Sequence, residues 1–276
     1  LSAREFKDGT LELFDRLEPT SAMGATLGPM RAVIYRQDRT LDARVIANAE
    51  NSAGGMGVDV KSAEELFSAG VQILTSGNHI WKKKEIYPYL ESHPCLIRPA
   101  NYPNGAPGRG WVEWQSEQAH RVLIVNLQGR VFMPGNIDDP FRCVDAILKG
   151  HGHRARIVIV DMHAEATSEK NAMGWFLDGR VSAVYGTHTH VQTADERILP
   201  KGTAYITDLG MCGPMDSVIG IEREIVIEGF LSQLPRAFDV AKDNVALQGI
   251  VLEVDEDTGK ALEIRRVRVL WKSSEV

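Results

Sequence analysis

His188 and His190 stand one residue apart, just after the short β-forming run Val181–Tyr185 and the strand-breaking Gly186. A strand ending there would deliver two imidazoles to a loop at its C-terminal edge, which is where α/β proteins bind ligands. Taken alone the pair says little, because most such histidines are surface residues or hydrogen-bonded core residues. Three other apolar runs end in the same kind of chemistry. Glu50 and Asn51 follow Ala43–Asn48, Asn78 and His79 follow Val71–Thr75, and His163 follows Ile157–Asp161. Carboxylate, amide oxygen and imidazole together suit a hard or borderline divalent cation such as Mn, Fe or Zn. Six such groups exceed the four that a structural zinc takes, so a two-metal site is the economical reading. Two ions about 3.5–4 Å apart would clamp a phosphate ester and activate water for in-line attack.

The same residues have plainer readings. Glu50 and Asn51 could cap the glycine-rich turn Ser52–Gly57, His79 could be a surface residue, and His163 could be a buried, hydrogen-bonded core residue. Asp161 and Glu165 are read as partners that orient imidazoles, with backbone capping as the alternative. His93, His120, His151 and His153 lie in polar, loop-like surroundings and are expected to be solvated. Lys82–Lys84 reads as an exposed helix face, and Met162, Met173 and Met211 read as core.

The elements that must position these groups alternate along the chain. Strands are expected at 43–48, 71–75, 121–126, 157–161, 181–185 and 203–207. A helix opens at the capping-box pair Ser62 and Glu65 and ends at Gly70. Further helices are expected over 81–90, 139–148, 167–177 (capped by Thr167 or Ser168) and 221–231. The proline-rich stretch 94–110 is read as an ordered surface loop. Two alternating runs, 245–254 and 262–271, form a hairpin about the turn Asp255–Gly259. Residues 1–40 are atypical, with a weak strand at Leu11–Asp15 and a mixed segment at Met30–Arg36. The pattern predicts an α/β sandwich in a single domain spanning 1–276.

Composition narrows the function. The 276 residues are 43% hydrophobic and 25% charged, an ordinary globular balance. A net charge of -6 argues against general nucleic-acid binding but leaves room for a small anion held by metals. Cys95, Cys143 and Cys212 are odd in number and form no paired motif, which points to a reducing cytoplasm. No apolar run is long enough to span a membrane, and no signal peptide is expected.

Asn48-Ala-Glu-Asn51, Gly77-Asn-His79, Asp161-Met-His-Ala-Glu-Ala-Thr-Ser-Glu-Lys170 and Gly186-Thr-His-Thr-His-Val-Gln-Thr-Ala-Asp195 resemble the motifs of the YmdB-like metallophosphoesterases, a bacterial branch of the calcineurin-like phosphoesterase superfamily. The resemblance runs from about Ala43 to the terminal hairpin. It implies a four-layer α/β/β/α sandwich, a dinuclear centre of Fe or Mn (with Zn or Mg as alternatives), and hydrolysis of a small phosphodiester such as a 2',3'- or 3',5'-cyclic nucleotide. It also implies a homo-oligomer. Carried over motif by motif, Glu50 would bridge the two ions. Asn51 and His190 would hold one ion, and Asn78, His163 and His188 the other. His79 would be no ligand but the proton donor to the leaving oxygen.

The sequence departs from the family at its start. The family opens with a strand and Gly-Asp-Val-Val-Gly, whose Asp binds the first metal, and this chain has no such motif. Asp15, at the end of the weak first strand, Glu18 or no residue at all would take its place. The departure motivates an alternative, an impaired nucleotide-binding regulatory or scaffold protein of the same fold. An amidohydrolase also uses His-x-His, but on the first strand of a β/α barrel, which the late position of 188–190 and the terminal hairpin do not fit.

Overall fold

The computed structural model describes residues 31–36, 44–115 and 121–271. In chain order it contains β1 (Arg31–Arg36), β2 (Arg44–Asn48), α1 (Val60–Ser68), β3 (Ile73–Thr75), α2 (Ile86–Ser92), β4 (Trp111–Gln115) and β5 (Arg121–Gln128). Then come α3 (Pro140–His151), β6 (Ile157–His163), α4 (Thr167–Leu177), β7 (Ala183–Thr187), β8 (Arg197–Ile198) and β9 (Ala204–Ile206). β10 (Gly213–Pro214), α5 (Arg223–Ser232), β11 (Val245–Val254) and β12 (Ala261–Leu270) close the described chain.

The strands form two six-stranded sheets. One runs β10-β11-β1-β2-β3, with β12 paired to β11; the other runs β4-β5-β6-β7-β9-β8. Alternation along each strand explains why the sheets stack. Ile46 and Ile73 of the first sheet meet Ile124, Ile159 and Tyr185 of the second in one buried cluster. Their neighbours Val45, Ala47 and Leu74 point the other way, onto Ala63 and Leu66 of α1 and Leu90 of α2. Leu123, Val125, Val158 and Val160 likewise pack on Val144 and Ile147 of α3 and Met173 and Leu177 of α4. Three apolar cores between four layers make an α/β/β/α sandwich. Strands buried on both faces also explain the nearly continuous apolar runs in the sequence.

Several local expectations are corrected. The α1 cap is Asp59, whose carboxylate accepts from Ser62 N at 2.7 Å, so Ser62 and Glu65 make no capping box. The helix expected over 81–90 begins only at Ile86, after a 3-10 turn at Ile80–Lys82. α4 is preceded by Ala166, with no side-chain cap from Thr167 or Ser168. Gly186 does not end the strand, because β7 continues to Thr187 alongside β6. The segment Met30–Arg36 contains a true strand, pairing parallel to β11 and antiparallel to β2. His93 and His151 are not simply solvated: His93 stacks on Tyr89 and His151 pairs with Glu113 at 2.8 Å. The possible strand at Leu11–Asp15, with Asp15, Glu18 and His120, lies outside the described residues.

Candidate metal centre

β2, β3, β6 and β7 are neighbours or face each other across the sandwich, and all four end at the same edge. The parallel registers Asn48↔Thr75 and His163↔Thr187 bring their tips level. The first sheet thereby supplies Glu50, Asn51, Asn78 and His79, and the second supplies His163, His188 and His190. His163 Nε2 lies 2.9 Å from Glu50 Oε2, 3.0 Å from Asn78 Oδ1 and 3.2 Å from His188 Nδ1. Glu50, His163 and His188 form a group able to hold a metal ion, their nearest ligand atoms all within 4.8 Å of one another. A second set adjoins it. His79 Nδ1 is 3.6 Å from Glu50 Oε1, and the Asn51 amide is 3.4 Å from His190 Nε2. All six residues expected to bind metal, and His79, converge.

The hydrogen bonds behind these groups fix which nitrogens carry protons. Thr187 Oγ1 donates to Asp161 Oδ1 at 2.6 Å, so it accepts from His163 Nδ1 at 2.9 Å. His188 Nε2 faces Glu165 Oε2 at 3.1 Å and donates to it. His190 Nδ1 donates to Ile219 O at 3.0 Å. In its neutral form each imidazole therefore turns its other nitrogen, as an acceptor, toward the cluster. The Asn51 amide satisfies its surroundings when its nitrogen donates to Gly55 O at 3.2 Å and His79 Nδ1 at 2.9 Å. Its oxygen then faces His190 Nε2. His163 Nε2, His188 Nδ1, Glu50 and Asn78 Oδ1 are thus acceptors pointed at one another, and so are Asn51 Oδ1 and His190 Nε2. Cations stabilise such a set of acceptors, whether metal ions or protons on the imidazoles.

Asp161 organises the seam between the sheets. Fully buried, it accepts from Thr75 of β3, Thr187 of β7 and Asn48 of β2. Asn48 Oδ1 in turn accepts from Glu50 N at 3.1 Å. One carboxylate therefore orients His163 through Thr187 and Glu50 through Asn48. Burial pushes its carboxyl up, against the pull of His163 and the three donors. Burial pushes Glu50 in the same sense, but His163 and His79 outweigh it and hold that carboxyl far below the usual range.

Two features were missed in the sequence. Asp208, just past β9, accepts from Thr189 N at 3.1 Å and Thr189 Oγ1 at 2.7 Å, and from the buried Lys170 at 2.8 Å. It pins the middle of His-x-His while both histidines take left-handed backbone, with φ of 98° at His188 and 65° at His190. Such conformations cost about 1–3 kcal/mol each and persist where surroundings enforce them. A carboxylate after a fifth apolar run was the available signal. The second feature is Gly77, where an added Cβ would sit 2.1 Å from His163 Nε2. Gly77→Ala should push His163 out of the cluster. Diester hydrolysis should fall about 10²-fold, the scale of an ångström-sized misplacement, while circular dichroism stays native. Unchanged activity would show that His163 does not need that position.

The cluster opens into a pocket of about 300 Å³, bordered on the polar side by His79, Glu165, His188 and His190. A larger hollow of about 930 Å³ beside Arg98 and Arg142 contains none of the candidate residues.

Two stacked sheets that bring carboxylate, amide and imidazole groups to one edge define a phosphoester hydrolase of the metallophosphoesterase fold. The sequence model of the YmdB-like protein family matches residues 33–267, and the chain belongs to that family. It is 48% identical over 224 residues to a 2',3'-cyclic-nucleotide 2'-phosphodiesterase of Bacillus subtilis, covering 81% of this chain and 84% of that one. A crystal structure of a hypothetical protein from Thermus thermophilus is similar at 38% identity and a TM-score of 0.78, over 87% of this chain and 99% of that one. A novel phosphatase from Mycoplasma pneumoniae is similar at 34% identity and a TM-score of 0.79, over 88% and 95%. A metallophosphoesterase implies divalent metals, and the cluster fits them: hard oxygen and borderline nitrogen ligand atoms around a buried carboxylate held below its usual range.

Proposed function

We propose that this chain, as one domain, hydrolyses cyclic-nucleotide phosphodiesters at a dinuclear metal centre, with 2',3'-cyclic esters the first candidates and 3',5'-cyclic esters the second. The carrying observation is the convergence of lone pairs from Glu50, Asn51, Asn78, His163, His188 and His190 at one strand edge. The Bacillus subtilis relative supports the substrate class. Glu50, central to both sets, would serve both ions; Asn51 and His190 would hold one, and Asn78, His163 and His188 the other. Bound there, divalent ions of Fe or Mn would polarise the phosphoryl oxygens and acidify water into a nucleophile near neutral pH. The protein's own part is to keep the imidazoles in the correct tautomer through Thr187, Glu165 and Ile219.

His79 acts as the general acid. It lines the pocket, and in its imidazolium form it carries a transferable proton there. Burial lowers its pKa below the ordinary 6.5, with Glu50 opposing and His163 and Lys82 adding to the shift. The acid must be protonated to donate, so kcat should fall as pH rises through that lowered value. His79→Ala should cut kcat about 10²–10⁴-fold on esters with poor leaving groups and remove this dependence, with metal content unchanged. Nitrophenyl diesters, whose leaving groups need little protonation, should suffer less. Loss of metal in this variant, or equal slowing of both ester types, would rule out the proton-donor role.

A second reading, an impaired nucleotide-binding protein, rests on the lack of the family's Gly-Asp motif in residues 1–30. Metal analysis with a hydrolysis assay decides between them: about two ions per chain and turnover support the enzyme, while about one ion and no turnover support the impaired form.

A further inference from the structure

Away from its polar residues, the lining of the 300 Å³ pocket changes character. It also includes Met211, Gly213, Pro214, Ile219, Ile221 and Val240, with Gly220 between the isoleucines. The polar side chains on the lining are Asn51, His79, Glu165, His188, Thr189 and His190, and this second group offers apolar side chains and backbone alone.

This wall is built, not incidental. Ile219 has φ of 48° and is 50% exposed, a costly arrangement for a β-branched residue on both counts. The surrounding turn holds it there. Val218 and Ile221 exchange backbone hydrogen bonds at 2.9 and 3.0 Å, and Ser217 Oγ accepts from Gly220 N at 2.9 Å. Ala241 N donates to Gly220 O at 3.1 Å, and the bridge Ile221↔Val240 ties the turn to the chain beyond α5. Ile219 O accepts the His190 Nδ1 proton, so one residue both sets the tautomer of a proposed ligand and presents its side chain to the pocket.

We infer that this apolar wall is a base subsite, receiving the nucleobase of a cyclic nucleotide whose diester lies at the histidines, and holding it by contact without reading its identity. The inference rests on the phosphodiesterase reading above. Three points select the occupant. The wall is continuous with the phosphate-facing side, so whatever sits on it is attached to the reacting ester. The volume is at the small end of ligand pockets, suited to a mononucleotide-sized ligand. The apolar wall suits a flat, weakly polar group and itself carries no side-chain donor or acceptor to discriminate among bases.

The test uses the purified enzyme loaded with manganese and three esters: adenosine 2',3'-cyclic phosphate, cytidine 2',3'-cyclic phosphate and the base-free methyl riboside 2',3'-cyclic phosphate. The adenosine ester should exceed the base-free ester in kcat/KM by about tenfold or more, mostly through KM, as apolar pockets discriminate on that scale. The two nucleoside esters should differ by less than about tenfold, since only hydrogen-bonded pockets reach 10⁴ or more. Val240→Asp, which places a charge on the wall, should lower kcat/KM for the adenosine ester toward the base-free value. Equal turnover of the base-free and adenosine esters by the wild-type enzyme would overturn the subsite and leave the phosphodiesterase reading standing. A preference between bases of about 10⁴ would overturn the contact-only recognition. Hydrolysis of none of the three would remove the phosphodiesterase reading and the subsite with it.

Discussion

Chelation of the purified protein should abolish diester hydrolysis, and Mn or Fe should restore it. In the metal-free protein the edge of the sandwich presents the Glu50 carboxylate, held far below the usual range, to a substrate that is itself anionic, with no metal ion between them. Among the described residues, the nearby lysines do not replace the cations. Lys170 is buried and committed to Asp208, and Lys82 lies on the exposed outer side of its turn. The loss should therefore be complete within assay limits. Stability should fall as well: metal at a hundredfold excess over Kd adds about 2.7 kcal/mol, which appears as a lower melting temperature after chelation. Full turnover in rigorously metal-free protein would sink the mechanism.

The substitution Glu50→Gln should be nearly as damaging as chelation. The two side chains have almost the same shape, and a glutamine oxygen can still accept from His79 N, now bonded to Glu50 Oε1 at 2.8 Å. What changes is the charge and the second oxygen, which faces His163 Nε2 at 2.9 Å. A glutamine either brings an amide nitrogen to that point, where its N–H bonds His163 Nε2 in place of a cation, or turns that nitrogen on His79 N and loses the backbone contact. In the proposed centre this group would serve both ions, so both should be lost or weakened together. We expect kcat/KM to fall by about 10³-fold or more, since each cation supplies several kcal/mol of charge stabilisation. Metal analysis should show the deficit directly. A Glu50→Gln protein that keeps two ions and its activity would exclude the bridging role.

The candidate metal ligands were easier to read than the residues that hold them. Glu50, Asn78, His163 and His188 follow runs of β-forming residues, and the position of a polar group at a strand end survives in the sequence whatever the loop geometry. The doubly buried strands were legible for the same reason: Val122–Val125 and Ile157–Val160 are apolar on both faces because both faces meet other layers. β1 was not, since its pairing with β11 joins strands far apart in sequence and leaves no local period to recognise. Asp208 was hidden because its partners, Thr189 and Lys170, come from other elements. Helix starts failed at α1 and α4 because side-chain caps depend on a single torsion: Asp59 outcompeted Ser62, and at Ala166 no side chain caps at all. The family's opening Asp has no counterpart in the described residues.

The cluster straddles a seam. Glu50, Asn51, Asn78 and His79 ride on one sheet, and His163, His188 and His190 on the other, with the apolar layer containing Ile46, Ile124 and Ile159 between them. Neither sheet carries a complete set of groups, so each is a half-site, and the distance between halves is set by how well two greasy surfaces mesh far from the edge. Catalysis in this architecture is therefore a gauge of interlayer fit. A methyl group lost from Ile124 or Ile159 lets the sheets settle closer or slide, and the effect appears at the edge as misaligned lone pairs before the protein as a whole gives way.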